Sequence, residues 1–148
     1  VLIDYPPADE EVAAVQRVTT NQTGDQLSLD GVKPCLSERA VLTLQQLAAR
    51  QRVDEKVIEY AVAIVRATRE WPGLAIGAGS RGAIALVRTA RAIALMDGRD
   101  YVTPDDIKRI ALPALRHRVG LSPDALMEGR KESDVLAAVV DSVAAPRV

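Results

Sequence analysis

Gly77-Ala78-Gly79-Ser80-Arg81-Gly82, continued by Ala83-Ile84-Ala85-Leu86-Val87-Arg88-Thr89-Ala90-Arg91-Ala92-Ile93-Ala94-Leu95-Met96-Asp97-Gly98, is a glycine-rich loop running into an amphipathic helix. Its glycines have the G-x-G-x-x-G spacing of a dinucleotide-binding turn, which would make the chain a parallel α/β protein. That fold needs a buried strand before the glycines and, after the helix, a second parallel strand ending in an acid for the ribose hydroxyl. Here the preceding apolar stretch is only Leu74-Ala75-Ile76, and Asp97 and Asp100 come before the next extended pair, Tyr101-Val102, instead of closing it. The dinucleotide reading fails on context. No Gly is followed by Lys, so the phosphate loop G-x-x-x-x-G-K-[ST] is also absent.

Working outward, the fold reads as all-α. Ser80 is placed as the N-cap of the helix after the glycines, Ile84, Val87, Ala90, Ile93, Ala94 and Met96 as a wide apolar face, and Gly98 as its stop. That breadth predicts a central position. Downstream, Thr103-Pro104-Asp105-Asp106 combines an N-cap hydroxyl, proline at the first helical position and a capping-box acid. Ile107, Ile110, Ala111, Ala114 and Leu115 form the inner face that follows. Ser122-Pro123-Asp124 repeats the start signal for a short helix, and Ser133-Asp134 opens a last one bearing Val135, Leu136, Val139, Val140 and Val143. Upstream, Asp54 opens a helix with Val57, Ile58, Ala61, Ile64 and Val65 on one face, ended by Trp71-Pro72-Gly73. Ser37 opens another, to about Arg50, whose Val41, Leu44, Leu47 and Ala48 predict a buried stripe. The body is a helical bundle of about five or six helices. Before it, Val1 to Tyr5 is a short apolar run stopped by Pro6-Pro7, and Asp9 is placed as the cap of a short helix with Val12, Val15 and Val18. A polar connector from Thr19 to Pro34 carries the principal boundary, which divides the chain into 1–21 and 22–148.

Composition agrees with helices. The 148 residues are 48% apolar and 26% charged, with no Phe, so a real core can be buried within a single domain's length. A net charge of −1 removes the global attraction that nonspecific nucleic-acid binding relies on. The single cysteine, Cys35, makes no internal disulfide and reads as a reduced, cytoplasmic residue. No run is long and apolar enough for a membrane span or signal peptide. The single histidine, His117, has no neighbouring ligand for a metal site and no nucleophile to serve, so no catalytic or metal-binding residue is assigned within the chain.

Arg81 stands apart. A helix N-terminus carries free N–H groups and partial positive charge, which acids complement, and the other helix starts hold Asp9, Asp54, Asp105 and Asp124. A cation there fits either a solvated arginine or a ligand for an anion such as phosphate, with Gly79 leaving room for close approach and Ser80 beside it. Arg88 and Arg91 fall near the same side of the helix, and Arg116, His117 and Arg118 cluster after the next long one.

The combination of Gly77-Ala78-Gly79-Ser80-Arg81-Gly82, the Ala/Arg helix, Gly98-Arg99-Asp100-Tyr101-Val102-Thr103-Pro104-Asp105-Asp106 and Leu115-Arg116-His117-Arg118-Val119 resembles the C-terminal helical lid of MoxR-family AAA+ ATPases. The lead-in Asp4-Tyr5-Pro6 and Asp9-Glu10-Glu11 resembles the end of that family's α/β core and its linker helix. The resemblance implies that 1–21 is this core remnant and 22–148 the lid. It implies that Arg81 is the sensor 2 arginine, which reaches the γ-phosphate of ATP, with Ser80 and Gly79 beside it. The family's proline before the arginine is Ser80 here, and its following alanine is Gly82. ATP and Mg²⁺ are implied for the full-length protein, with none expected on the isolated chain. The implied partners are the α/β core of the same polypeptide, a homo-oligomeric ring, commonly a hexamer, and proteins with a von Willebrand factor A domain; the implied work is chaperone-like remodelling of protein complexes. The rival reading is a stand-alone helical module that uses Arg81, Arg88 and Arg91 to bind an acidic protein or nucleic acid.

Overall fold

The computed structural model describes residues 4–20 and 31–147, and contacts within the chain divide it into two units, Val1–Ser37 and Glu38–Val148. The apolar lead-in at 1–3 and most of the polar connector, 21–30, lie outside the described residues.

In the first unit a helix, α1 (Ala8–Thr19), follows the proline pair. Pro7, not Asp9, occupies the cap position; Asp9, Glu10 and Glu11 all lie in the first turn, where they complement the dipole without capping it. The reason is that proline's fixed φ, with ψ near 153°, already ends the extended lead-in two residues earlier.

The second unit holds six helices and a two-strand seam: α2 (Glu38–Ala49), α3 (Glu55–Glu70), β1 (Leu74–Ile76), α4 (Ser80–Met96), α5 (Pro104–Leu115), β2 (Gly120–Leu121), α6 (Pro123–Met127) and α7 (Glu132–Ser142). The all-α reading holds, and none of the described helices is long and apolar enough to cross a membrane. Local capping chemistry sets several boundaries. Asp54 accepts from the Lys56 amide at 2.9 Å, Ser122 from the Ala125 amide at 3.3 Å, and Thr103 and Asp106 form a full capping box. Ser133 is the exception. α7 starts one residue earlier, its first turn closing on the Lys131 carbonyl, while the Ser133 hydroxyl donates to Asp134.

The core lies between α3, α4, α5 and α7, with Ile64, Leu86, Ile107, Leu115 and Leu136 fully buried. Each such side chain stabilises the fold by roughly 1.5–3 kcal/mol relative to exposure. α4 is central, touching α2, α3 and α5. Its inner face is narrower than the apolar pattern predicts: Gly82, Leu86, Ala90 and Ala94 are buried, whereas Ile84 and Met96 are exposed. Three of these four are Gly or Ala, so neighbouring helices approach closely along one i, i+4 row and leave the flanks of α4 uncovered. The predicted stripe on α2 is likewise not buried, with Val41, Leu44 and Leu47 each about 40–45% exposed. Among the described residues its main packing partner is α4, where a buried stripe needs several.

β1 and β2 pair antiparallel, Leu74 with Leu121 and Ile76 with Gly120. This disposes of the dinucleotide fold on geometry as well as pattern. The strand before the glycines is three residues long, and its partner runs the opposite way.

Candidate functional site

The loop from Gly77 to Gly79 carries the chain from β1 into α4, and each of the three motif glycines, two in the loop and Gly82 in the first turn of α4, does a different job. A Cβ on Gly77 would lie 2.5 Å from the Arg69 Cα, so this position is glycine because the loop backbone lies directly on α3. On Gly82 it would meet Leu115 at 3.0 Å, Ala78 at 3.3 Å and Val65 at 3.4 Å, so this one admits the first turn of α4 between α3 and α5. Gly79 alone faces open space. Two of the three glycines are therefore explained by packing, and the third leaves the helix end uncovered.

Ser80 is the first residue of α4 and not its cap. Gly79 takes the cap position with extended backbone, φ −84° and ψ 178°, and the first turn closes on its carbonyl, 2.7 Å from the Gly82 amide. No side chain caps this end, and its first turn holds no acid, whereas every other described α-helix has at least one there. Arg81 lies in that turn, exposed, and makes none of the ion pairs or side-chain hydrogen bonds among the described residues. Uncapped N–H groups, an uncovered glycine and a free guanidinium within one turn suit an anion with several oxygens, such as a phosphate. No group of His, Cys, Asp and Glu among the described residues could hold a metal ion.

α3 holds the loop in place through two side chains that the sequence pattern hides. The buried Thr68 hydroxyl accepts from the Ala78 amide at 2.9 Å and donates to the Val65 carbonyl at 2.6 Å. Arg69 Nε donates to the Ala78 carbonyl at 2.9 Å. A hydroxyl on an otherwise apolar helix face, as at Thr68 beside Ile64 and Val65, is the one signal that could have found this clamp.

The remaining basic residues separate. Ser80, Arg88 and Arg91 line a groove of about 360 Å³ between α3 and α4, floored by Ile58, Val62, Ala83, Ile84 and Val87. Arg116, His117 and Arg118 form a single 3₁₀ turn after α5. The pairing of Ile76 with Gly120 and the packing of Leu115 at Gly82 bring this turn to the end of the bundle where α4 begins, a proximity that the 34 residues between Arg81 and Arg116 conceal in the sequence.

At the far end of α4, Arg99 bonds Asp106, Asp97 and the Tyr101 carbonyl, and Asp106 also accepts from the Thr103 amide and hydroxyl. Burial by itself raises the Asp106 carboxyl, but the Arg99 fork and the two Thr103 donors outweigh it and hold the group below its ordinary range.

Comparison with known proteins adds the following. Residues 66–139 match the AAA lid domain family. The chain is 36% identical to Uncharacterized protein YeaC of Bacillus subtilis over 96% of its own length and 43% of that protein. It is 34% identical to Chaperone MoxR1 of Mycobacterium tuberculosis over 99% of its length and 39% of that protein, and 33% identical to Magnesium-chelatase subunit ChlI of Nephroselmis olivacea over 70% and 29%. A crystal structure of a Cytophaga hutchinsonii protein proposed to be an ATPase superposes with a TM-score of 0.73 at 27% identity, over 98% of this chain and 45% of that one. The chain thus spans less than half the length of each of these relatives.

Proposed function

The chain belongs to the AAA lid domain family, and from that premise we propose that it is the helical lid of a MoxR-type AAA+ ATPase, with Arg81 as its sensor 2 arginine. The observation that carries this reading is the start of α4, where, alone among the described α-helices, the first turn holds no acid and presents an exposed arginine with no ion pair among the described residues. Arg81 would bind a phosphate oxygen of ATP, and Gly79 and Ser80 would let that phosphate approach the backbone N–H groups of the first turn. Nucleotide supplies the anion and Mg²⁺ its counter-charge in the full-length protein. This chain supplies the closing half of the cleft, so that α4 moves toward the α/β core with nucleotide bound and away after hydrolysis.

On this reading 1–21 is the end of the core with its linker helix, and 22–148 is the lid. The name of one relative, Chaperone MoxR1, supports chaperone-like work for the parent protein; its assembly as a homo-oligomeric ring, commonly a hexamer, its von Willebrand factor A domain partners and its place in the cytoplasm are part of the same proposal. Steady-state ATP turnover of the full-length protein tests the assignment. Arg81→Ala should lower it, because a charge-assisted contact is lost from a cleft that excludes water, while Arg88→Ala, further along the same helix, should not. Equal turnover and equal nucleotide dependence in wild type and Arg81→Ala would sink the sensor 2 assignment.

A further inference from the structure

We infer that Thr68 and Arg69 are positioning residues for Arg81: they fix the peptide of Ala78, three residues before it, so that α3 and the first turn of α4 move as one body. This rests on the reading of Arg81 as the phosphate-binding arginine. Three contacts on different atoms converge on the same two loop residues. The Ala78 N–H bonds the Thr68 hydroxyl, the Ala78 carbonyl accepts from Arg69 Nε, and the Gly77 backbone lies against the Arg69 Cα so closely that no side chain fits between them. Ala78 and Thr68 are both fully buried, so water cannot readily replace the bond between them, while the bond from the exposed Arg69 is part-buried.

The alternative for Thr68 is that it merely fills space in the core. Its hydroxyl argues otherwise. It both donates to Val65 and accepts from Ala78, so the side chain is held in one orientation and passes that orientation to a loop ten residues away. Gly79, next along the chain, is extended, unpacked and free of any side-chain cap, so nothing after Ala78 and before the helix would correct an error in direction. An arginine that must meet a phosphate oxygen tolerates little displacement.

Thr68→Val keeps the shape of the side chain and removes the clamp, whereas Thr68→Ser keeps the hydroxyl and removes a methyl group. In the 148-residue chain, hydrogen exchange at Ala78 and at residues 79–82 should quicken about tenfold in Thr68→Val relative to Thr68→Ser, beyond any change at the α5 amides. In the full-length protein, kcat for ATP hydrolysis should fall about tenfold in Thr68→Val and stay within about twofold in Thr68→Ser, and Arg69→Met should share the loss. If Arg81→Ala lowers turnover and Thr68→Val does not, the positioning role is overturned and the sensor reading stands. Equal loss in Thr68→Val and Thr68→Ser also overturns it, in favour of simple packing. If Arg81→Ala has no effect on turnover, both readings fall together.

Discussion

Arg99 closes on Asp106 with both guanidinium nitrogens, at 2.7 and 2.8 Å, and so joins the end of α4 to the start of α5 through one buried carboxylate. Because Asp106 is held below its ordinary range, its stabilising effect is complete above the unfolded-state pKa of about 3.9 and is lost as pH falls through the lower folded value. Thermal melts between pH 5 and pH 2 should show the wild type losing stability toward acid and Asp106→Asn losing much less of what it has. At neutral pH, Asp106→Ala should cost about 3 kcal/mol, since the Arg99 guanidinium and the Thr103 amide lose their acceptor. An acid slope identical in wild type and Asp106→Asn would contradict this account.

Gly77 and Gly79 should behave oppositely although a single residue, Ala78, separates them. Gly77→Ala puts a Cβ against α3 backbone and should destabilise the chain by about 2 kcal/mol or more. Gly79→Ala meets nothing and keeps a φ that alanine adopts freely, so its effect should stay within about 0.5 kcal/mol. Urea denaturation of both variants checks the pair; similar midpoints would mean that the loop does not rest on α3 as described.

Arg81→Ala in the 148-residue chain should leave the fold intact and stabilise it slightly, by about 0.5 kcal/mol, because it removes a cation from the positive end of α4. Calorimetry reads this directly. A clear drop in Tm would mark Arg81 as a packing residue and not a free ligand.

The isolated chain should hydrolyse no ATP above background with Mg²⁺, because one arginine and one helix end provide too few contacts to hold a transferring phosphoryl group. Saturable turnover by the purified chain, abolished by a substitution within it, would overturn the lid reading.

What could be read from the sequence divides along the reach of each interaction. The starts at Asp54, Thr103 and Ser122 were legible because a cap involves atoms two or three residues apart. The burial of α2 and the width of the α4 face were not, since Val41, Leu44 and Ile84 have apolar spacing whatever happens to lie over them. The seam between Leu74–Ile76 and Gly120–Leu121 is too short to show any alternation. At the candidate site, Arg81 stood out by its charge at a helix start. Thr68 and Arg69 did not, because their partner Ala78 lies beyond a turn.

The 17 residues of α4, at about 1.5 Å each, make a rod about 25 Å long, clamped through Ala78 to α3 at one end and through Arg99 to Asp106 at the other. Such a strut would have to break a hydrogen bond to swivel about either end, a buried one at Thr68 and a part-buried one at Asp106. If Arg81 binds phosphate as proposed, a pull on it should reach the opposite corner as a tilt, where the exposed Tyr101 ring sits. A reporter dye placed on that corner of the full-length protein should then respond to added ATP, and no response would count against the strut.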